Sequence, residues 1–167
     1  MDNKREEFTK IYKENIDKIY RFVYLKVDSQ ESAEDITSKV FLRFWETYKR
    51  DKSIDNIRAF LYKVANNAVV DHYRDKSRTN IVSSDVVARF ADTRTNLYDK
   101  SVLASDIESI KLNIQKLKKD YQDIIIWHYL DDMSIKEIAV LTGKSEGNIR
   151  VMVHRGLNEL RKQFQGG

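Results

Sequence analysis

The sequence predicts an all-α fold, and three observations carry that prediction. Proline is absent from the 167 residues, and all five glycines lie at or beyond Gly143, so the first 142 positions lack both main helix breakers. Lys, Glu, Asp, Ile and Leu are abundant, while proline and cysteine are missing altogether. Apolar residues recur at steps of three and four over most of the chain, the spacing of amphipathic helices.

The elements follow in order. Phe8, Ile11, Tyr12, Ile16, Ile19, Tyr20 and Val23 mark a first helix. Ala33, Ile36, Val40, Phe41, Phe44, Trp45 and Tyr48 mark a second, with Ser32 and Asp35 as a capping-box signal at its start. Phe44 and Trp45 are read as core. A polar loop spans residues 49–56. Ile57, Phe60, Leu61, Val64, Ala65, Ala68 and Val69 mark a third helix, and these three can close one small core. Between residues 78 and 105 the period dissolves into Ser, Thr, Asp and Asn. Residues 79–106 carry three basic and four acidic side chains, and only Val86, Val87 and Phe90 leave room for a helical turn. Periodicity resumes with Ile107, Ile110, Ile114 and Leu117, then Ile124, Ile125 and Tyr129, before two short helices over 134–142 and 146–163. The expected organisation is two small helical modules, 1–77 and 106–167, joined by a flexible linker, 78–105.

Composition removes several function classes. Without cysteine there are no disulfides, thiolate nucleophiles or thiolate zinc sites. His72, His128 and His154 share no metal-ligand spacing, so no metal and no cofactor is expected. The longest apolar runs are about four residues, as at 124–127, far below the ~20 that span a bilayer. The first thirty residues are charged throughout, which predicts no signal peptide. A cytoplasmic protein without membrane insertion is expected. The net charge of +4 permits nucleic-acid binding without demanding it.

Residues 134–160 carry the clearest local pattern. Ser134 with Glu137 starts a helix, Ala139 is small, Gly143 supplies a turn, and Ser145 caps a second helix that carries Ile149. A helix-turn-helix needs this order: a small residue for close approach, a glycine in the turn and an apolar lock on the second helix. Ile149, Met152, Val153, Gly156, Leu157 and Leu160 then face inward. The opposite face presents Gly147, Arg150, Val151 and His154, with Asn148 and Arg155 at its margins. Residues 143–163 hold five basic and two acidic side chains, a balance suited to a phosphate-lined major groove. The plainer alternative is an amphipathic hairpin with a solvated basic face.

Two further stretches bring a family into view. Residues 33–45 read AEDITSKVFLRFW, and residues 58–74 read RAFLYKVANNAVVDHYR. They resemble the two signature stretches of sigma region two, and residues 115–162 resemble region four. Three motifs in this order, with no stretch corresponding to regions one or three, resemble the extracytoplasmic-function group of RNA polymerase sigma factors. That resemblance implies a non-enzymatic protein that docks on core RNA polymerase, opens promoter DNA at the minus-ten element and reads the minus-thirty-five element as duplex. It also implies an anti-sigma factor as regulator.

The resemblance implies site residues as well. Asp35, Ser38, Lys39 and Phe41 fall on the family's polymerase-contact positions, although many relatives carry Gln-Glu at 38–39. Charge agrees with a protein partner there: residues 28–46 hold five acidic and two basic side chains. Residues 58–78 reverse the balance with five basic and two acidic. Lys63, Asn67, Asp71 and Arg74 follow steps of four, four and three and so share one helix face. Asn67 and Asp71 fall on positions that read the minus-ten element; Asn67 also suits a structural cap or a solvated amide. Relatives often carry arginine where this chain has Asn66. The 49–56 loop resembles the loop that captures a flipped base, which requires a receiving pocket and stacking surfaces. Tyr62 and Tyr73 are stacking candidates or simply core and surface residues.

Rival readings stand beside this one. A helix-turn-helix regulator would bind DNA without docking on polymerase, and a degenerate sigma relative would serve only as an interaction module. A metal-dependent nuclease would use Glu34, Asp35 and Asp71.

Overall fold

The computed structural model describes residues 2–50, 53–78 and 102–165, and every regular element among them is helical. The chain divides into two compact units, Met1–Asp99 and Lys100–Gly167. The possible turn at Val86, Val87 and Phe90 lies outside the described residues.

The first unit is three mutually packed helices, α1 (Asp2–Lys26), α2 (Gln30–Lys49) and α3 (Ile57–Arg78). Their apolar stripes meet in a core of Phe22, Phe44, Leu61, Tyr62, Val40 and Ala65, all nearly inaccessible to water. Each large side chain buried there stabilises the fold by about 1.5–3 kcal/mol. Aromatic edges organise the packing. Tyr62 meets Phe22 at 5.1 Å, Phe41 meets Tyr12 at 4.9 Å, and the half-buried Trp45 meets Phe8 at 5.0 Å. The expected cap at Ser32 is displaced by one turn. Ser29 is the N-cap of α2, and its side chain accepts from the Ser32 N–H at 3.1 Å. The physical reason is that only Val27, Asp28 and Ser29 separate α1 from α2, so the earlier serine meets the first free N–H groups. At the start of α3, the Asn56 side chain accepts from the Ala59 N–H at 3.0 Å.

The second unit comprises α4 (Val102–Gln115), α5 (Lys119–Ile125), a π-helical turn (Ile126–Leu130), α6 (Ile135–Thr142) and α7 (Glu146–Gln165). Helix α4 begins inside the stretch where the sequence loses its period. Ile114, Ile124, Ile126, Ile138 and Ile149 form the innermost core. The widened turn departs from the simple period read in the sequence. Asp131 donates to the Ile126 carbonyl at 3.0 Å, one residue beyond the α-helical spacing. With that extra residue, 124–127 are all buried, while Tyr129 is turned outward. Helix α7 passes close to α5 at Gly156, where an added Cβ would stand 3.3 Å from Ile125 Cδ1. Glycine here allows the close approach that seats α7.

Among the described residues no helix is long and apolar enough to cross a membrane.

Candidate functional site

Helix α2 turns one face outward. Asp35, Ser38 and Lys39 are exposed, and Lys39 Nζ lies 3.1 Å from Asp35 Oδ2 across one turn. Both side chains are about two-thirds exposed (68% and 65%), so water screens the pair and it contributes at most about 1 kcal/mol. A protein partner can therefore replace it at small cost. Phe41 does not share that face. It is only 3% exposed and packs on Tyr12, because its position continues the inward stripe of Val40 and Phe44. The expected contact residue Phe41 therefore lies beneath the exposed face of α2. The apolar side chain that does face outward is Leu42, 58% exposed. The sequence held the signal for it: Asp35, Ser38, Lys39 and Leu42 follow steps of three, one and three on one helix face.

Helix α3 places Lys63, Asn67, Asp71 and Arg74 on one exposed face, as their spacing implies. All four line an open groove between α2 and α3, and Lys39, Leu42, Arg43 and Glu46 line it from α2. Val40, Phe60, Val64 and Ala68 form its apolar parts, and Val70 stands at its edge, 37% exposed. Of the set read on α2 only Lys39 reaches this groove, whereas all four residues read on α3 line it. Its rim carries four cations against two carboxylates, Glu46 and Asp71. Asp71 is 3.6 Å from Arg74, another exposed pair within one helix.

The other side of α3 grips the end of α1. Lys26 is buried and donates to Asn66 Oδ1 at 2.6 Å, with its Nζ 4.6 Å from the Phe22 ring centroid. A buried ammonium needs such partners. Asn66, where relatives often carry arginine, thus serves the α1–α3 contact. Tyr73 donates to the Lys26 carbonyl at 2.6 Å, and Asp28 binds both His72 and Lys76. Burial pushes the Asp28 carboxyl up, but the bonds to Lys76 and His72 outweigh it and hold the pKa below the ordinary value. Tyr62 is buried against Phe22 and is not available for stacking; Tyr73 is 41% exposed. Asp51 and Lys52 of the 49–56 loop lie outside the described residues.

In the second unit the helix-turn-helix chemistry is complete. Ser134 accepts from the Glu137 N–H at 3.0 Å, and Ser145 accepts from the Asn148 N–H at 3.1 Å. Gly143 has φ of 74°, a left-handed conformation that a side chain would strain, and its N–H donates to the Ala139 carbonyl at 2.9 Å. Ala139 and Ile149 are buried between the helices. Gly147, Asn148, Arg150, Val151, His154 and Arg155 are all exposed on α7. Among the described residues Arg150 and Arg155 have no ion-pair partner, so both guanidinium groups are available for phosphate or base edges. His154 Nε2 lies 3.4 Å from Asn158 Nδ2.

The carboxylates that a nuclease would require are spread apart in their bonding: Asp35 pairs with Lys39 and Asp71 with Arg74. Among the described residues no three His, Asp or Glu side chains could jointly hold a metal ion.

Comparison with known proteins adds independent findings. Residues 11–79 match Sigma-70 region 2, and residues 107–160 match Sigma-70, region 4. The chain is 30% identical over 166 residues to the ECF RNA polymerase sigma factor SigW of Bacillus subtilis (strain 168), spanning 93% of this chain and 86% of that one. Its fold is similar to CnrH, solved in complex with the cytosolic domain of CnrY, with a TM-score of 0.72 at 14% identity over 97% of this chain and 90% of the other. It is also similar to the sigma factor RpoE of Bartonella quintana, solved with the anti-sigma factor NepR, with a TM-score of 0.70 at 19% identity over 96% and 98% of the two chains.

Proposed function

The chain belongs to the family of extracytoplasmic-function (ECF) RNA polymerase sigma factors, and from that premise we propose how its surfaces share the work. As a sigma factor it binds core RNA polymerase and directs promoter recognition, DNA opening and transcription initiation. The observation that carries this is the presence of region 2 and region 4 in one chain, in that order. A helix-turn-helix alone would also suit a regulator that never touches polymerase; a preceding region 2 has no place in that reading.

The residue assignments are ours. The outward stripe of α2, Asp35, Ser38, Lys39 and Leu42, meets the polymerase, with Leu42 supplying the apolar contact that Phe41 cannot reach. Lys63, Asn67, Asp71 and Arg74 of α3 meet the minus-ten element as its strands part. The apolar parts of the groove suit an unstacked base, and its basic rim suits the backbone. On α7, Gly147, Asn148, Arg150, Val151, His154 and Arg155 enter the major groove of the minus-thirty-five element. Modules 1–77 and 106–167 act at two separated sites through the 78–105 tether. No covalent step is involved, and the protein works in the cytoplasm with the polymerase. An anti-sigma factor that covers Leu42 and Val70 would block both uses of the groove, and we propose that mode of control.

The test is promoter selection. The chain is combined with its cognate core polymerase and offered a randomised duplex pool. Enrichment of two separated elements, dependent on both core and chain, is expected. Failure to bind core, or enrichment of one element by the chain regardless of core, contradicts the proposal.

A further inference from the structure

Val151 is an apolar side chain in the middle of a polar face. It is 45% exposed, beside Arg150 and between Gly147 and His154, each one turn away on the same side of α7. A branched residue at an exposed helix position slightly lowers helix propensity, and this one does not join the core formed by Ile149 and Val153. The fold therefore gives no reason for valine there.

The neighbouring geometry suggests a reason. Helical side chains lean toward the N-terminus, so the Val151 methyl groups lie over the preceding turn. That turn is occupied by Gly147, where an added Cβ would meet nothing within 4 Å. Gly147 therefore leaves open space one turn before Val151 on the exposed side of α7. A duplex surface can come close at this point.

Major-groove edges offer donors and acceptors at every base pair, but only thymine adds an apolar group, its C5 methyl. A valine facing the cytosine amine would instead take water from a donor without replacing it, which is unfavourable. We propose that Val151 is a specificity-determining residue that reads a thymine C5 methyl within the minus-thirty-five element. This rests on the reading of α7 as the recognition helix.

Holoenzyme provides the test. Each thymine of the selected minus-thirty-five element is replaced in turn by deoxyuridine, which deletes only the methyl group. Binding is titrated with wild-type and Val151→Ala holoenzymes. For one thymine the wild type is expected to lose about three- to fourfold in affinity, the weight of one buried carbon group, and Val151→Ala to lose nothing further. Indifference of the wild type to every replacement overturns the assignment, as does an equal loss in both proteins. A selection that returns no minus-thirty-five element is a different failure: it removes the recognition-helix reading itself, and this inference with it.

Discussion

The α2–α3 groove and the outer face of α7 are both charged, yet they hold their charges differently. Of the groove's charges, Lys39 is joined to Asp35 on the outer face of α2 and Arg74 to Asp71, each pair within one helix. On α7, Arg150 and Arg155 stand without ion-pair partners among the described residues. The pairs cancel part of the groove's charge at short range, although its rim keeps four cations against two carboxylates. The unpaired surface attracts phosphate at a distance. The first suits contacts made after docking, and the second suits contacts that begin an encounter.

The groove depends on the core beneath it, and removing that core should have the largest effect. Phe44→Ala deletes a fully buried ring that stacks on Phe8 and Tyr48, and should destabilise the first unit by about 3–5 kcal/mol. Leu42→Ala, two positions away and exposed, should alter stability by about 0.5 kcal/mol or less while weakening polymerase binding. Chemical denaturation of both variants, with a polymerase-binding titration of the second, separates floor from wall. Equal destabilisation would mean that Leu42 is core.

On α7 the arginines should divide base reading from anchoring. Arg150→Ala should remove about 1–3 kcal/mol of preference for the matched minus-thirty-five element. Arg155→Ala should weaken matched and scrambled DNA alike and shallow the log–log salt dependence by about one unit. Titrations of holoenzyme over a salt series measure both. An equal loss on both sequences for Arg150→Ala makes it a phosphate clamp.

The exposed pairs should matter least for folding. Lys39→Ala and Arg74→Ala should each shift stability by about 0–1 kcal/mol. A larger shift in denaturation would show that these pairs stabilise their own helices beyond what screened surface pairs contribute. The Asp28 contact has a pH signature. Its carboxyl is held below the ordinary value, so its contribution is present above that value and fades as pH falls through the lowered one. Asp28→Asn should therefore lie below wild type in stability at neutral pH and converge with it in acid.

Much of this was legible in the residues, for local reasons. Ser134, Gly143 and Ser145 act on backbone groups within four residues, so their roles follow from spacing alone. The face of Lys63, Asn67, Asp71 and Arg74 follows from helical period. What escaped depended on contacts across the fold. Ser32 looked like a cap because the short α1–α2 turn cannot be seen in the pattern, and Ser29 takes that role. That Leu42, and not Phe41, is the exposed apolar side chain of α2 depends on Phe41 packing against Tyr12 of another helix. The π-helical turn inserts one residue into the period and so buries Ile126 and Trp127.

On the proposed division of work, the groove opens DNA only when the polymerase has engaged α2, whereas α7 contributes an anchor. Strand separation can be followed at a fluorescent adenine analogue placed in the minus-ten element. The chain alone, core alone, the pair, and the pair with Asp35→Arg are compared at equal concentrations. A signal is expected only for the wild-type pair, strongly reduced by Asp35→Arg with the variant's fold intact. A full signal from the chain without core, or an undiminished one from the Asp35→Arg holoenzyme, would contradict it.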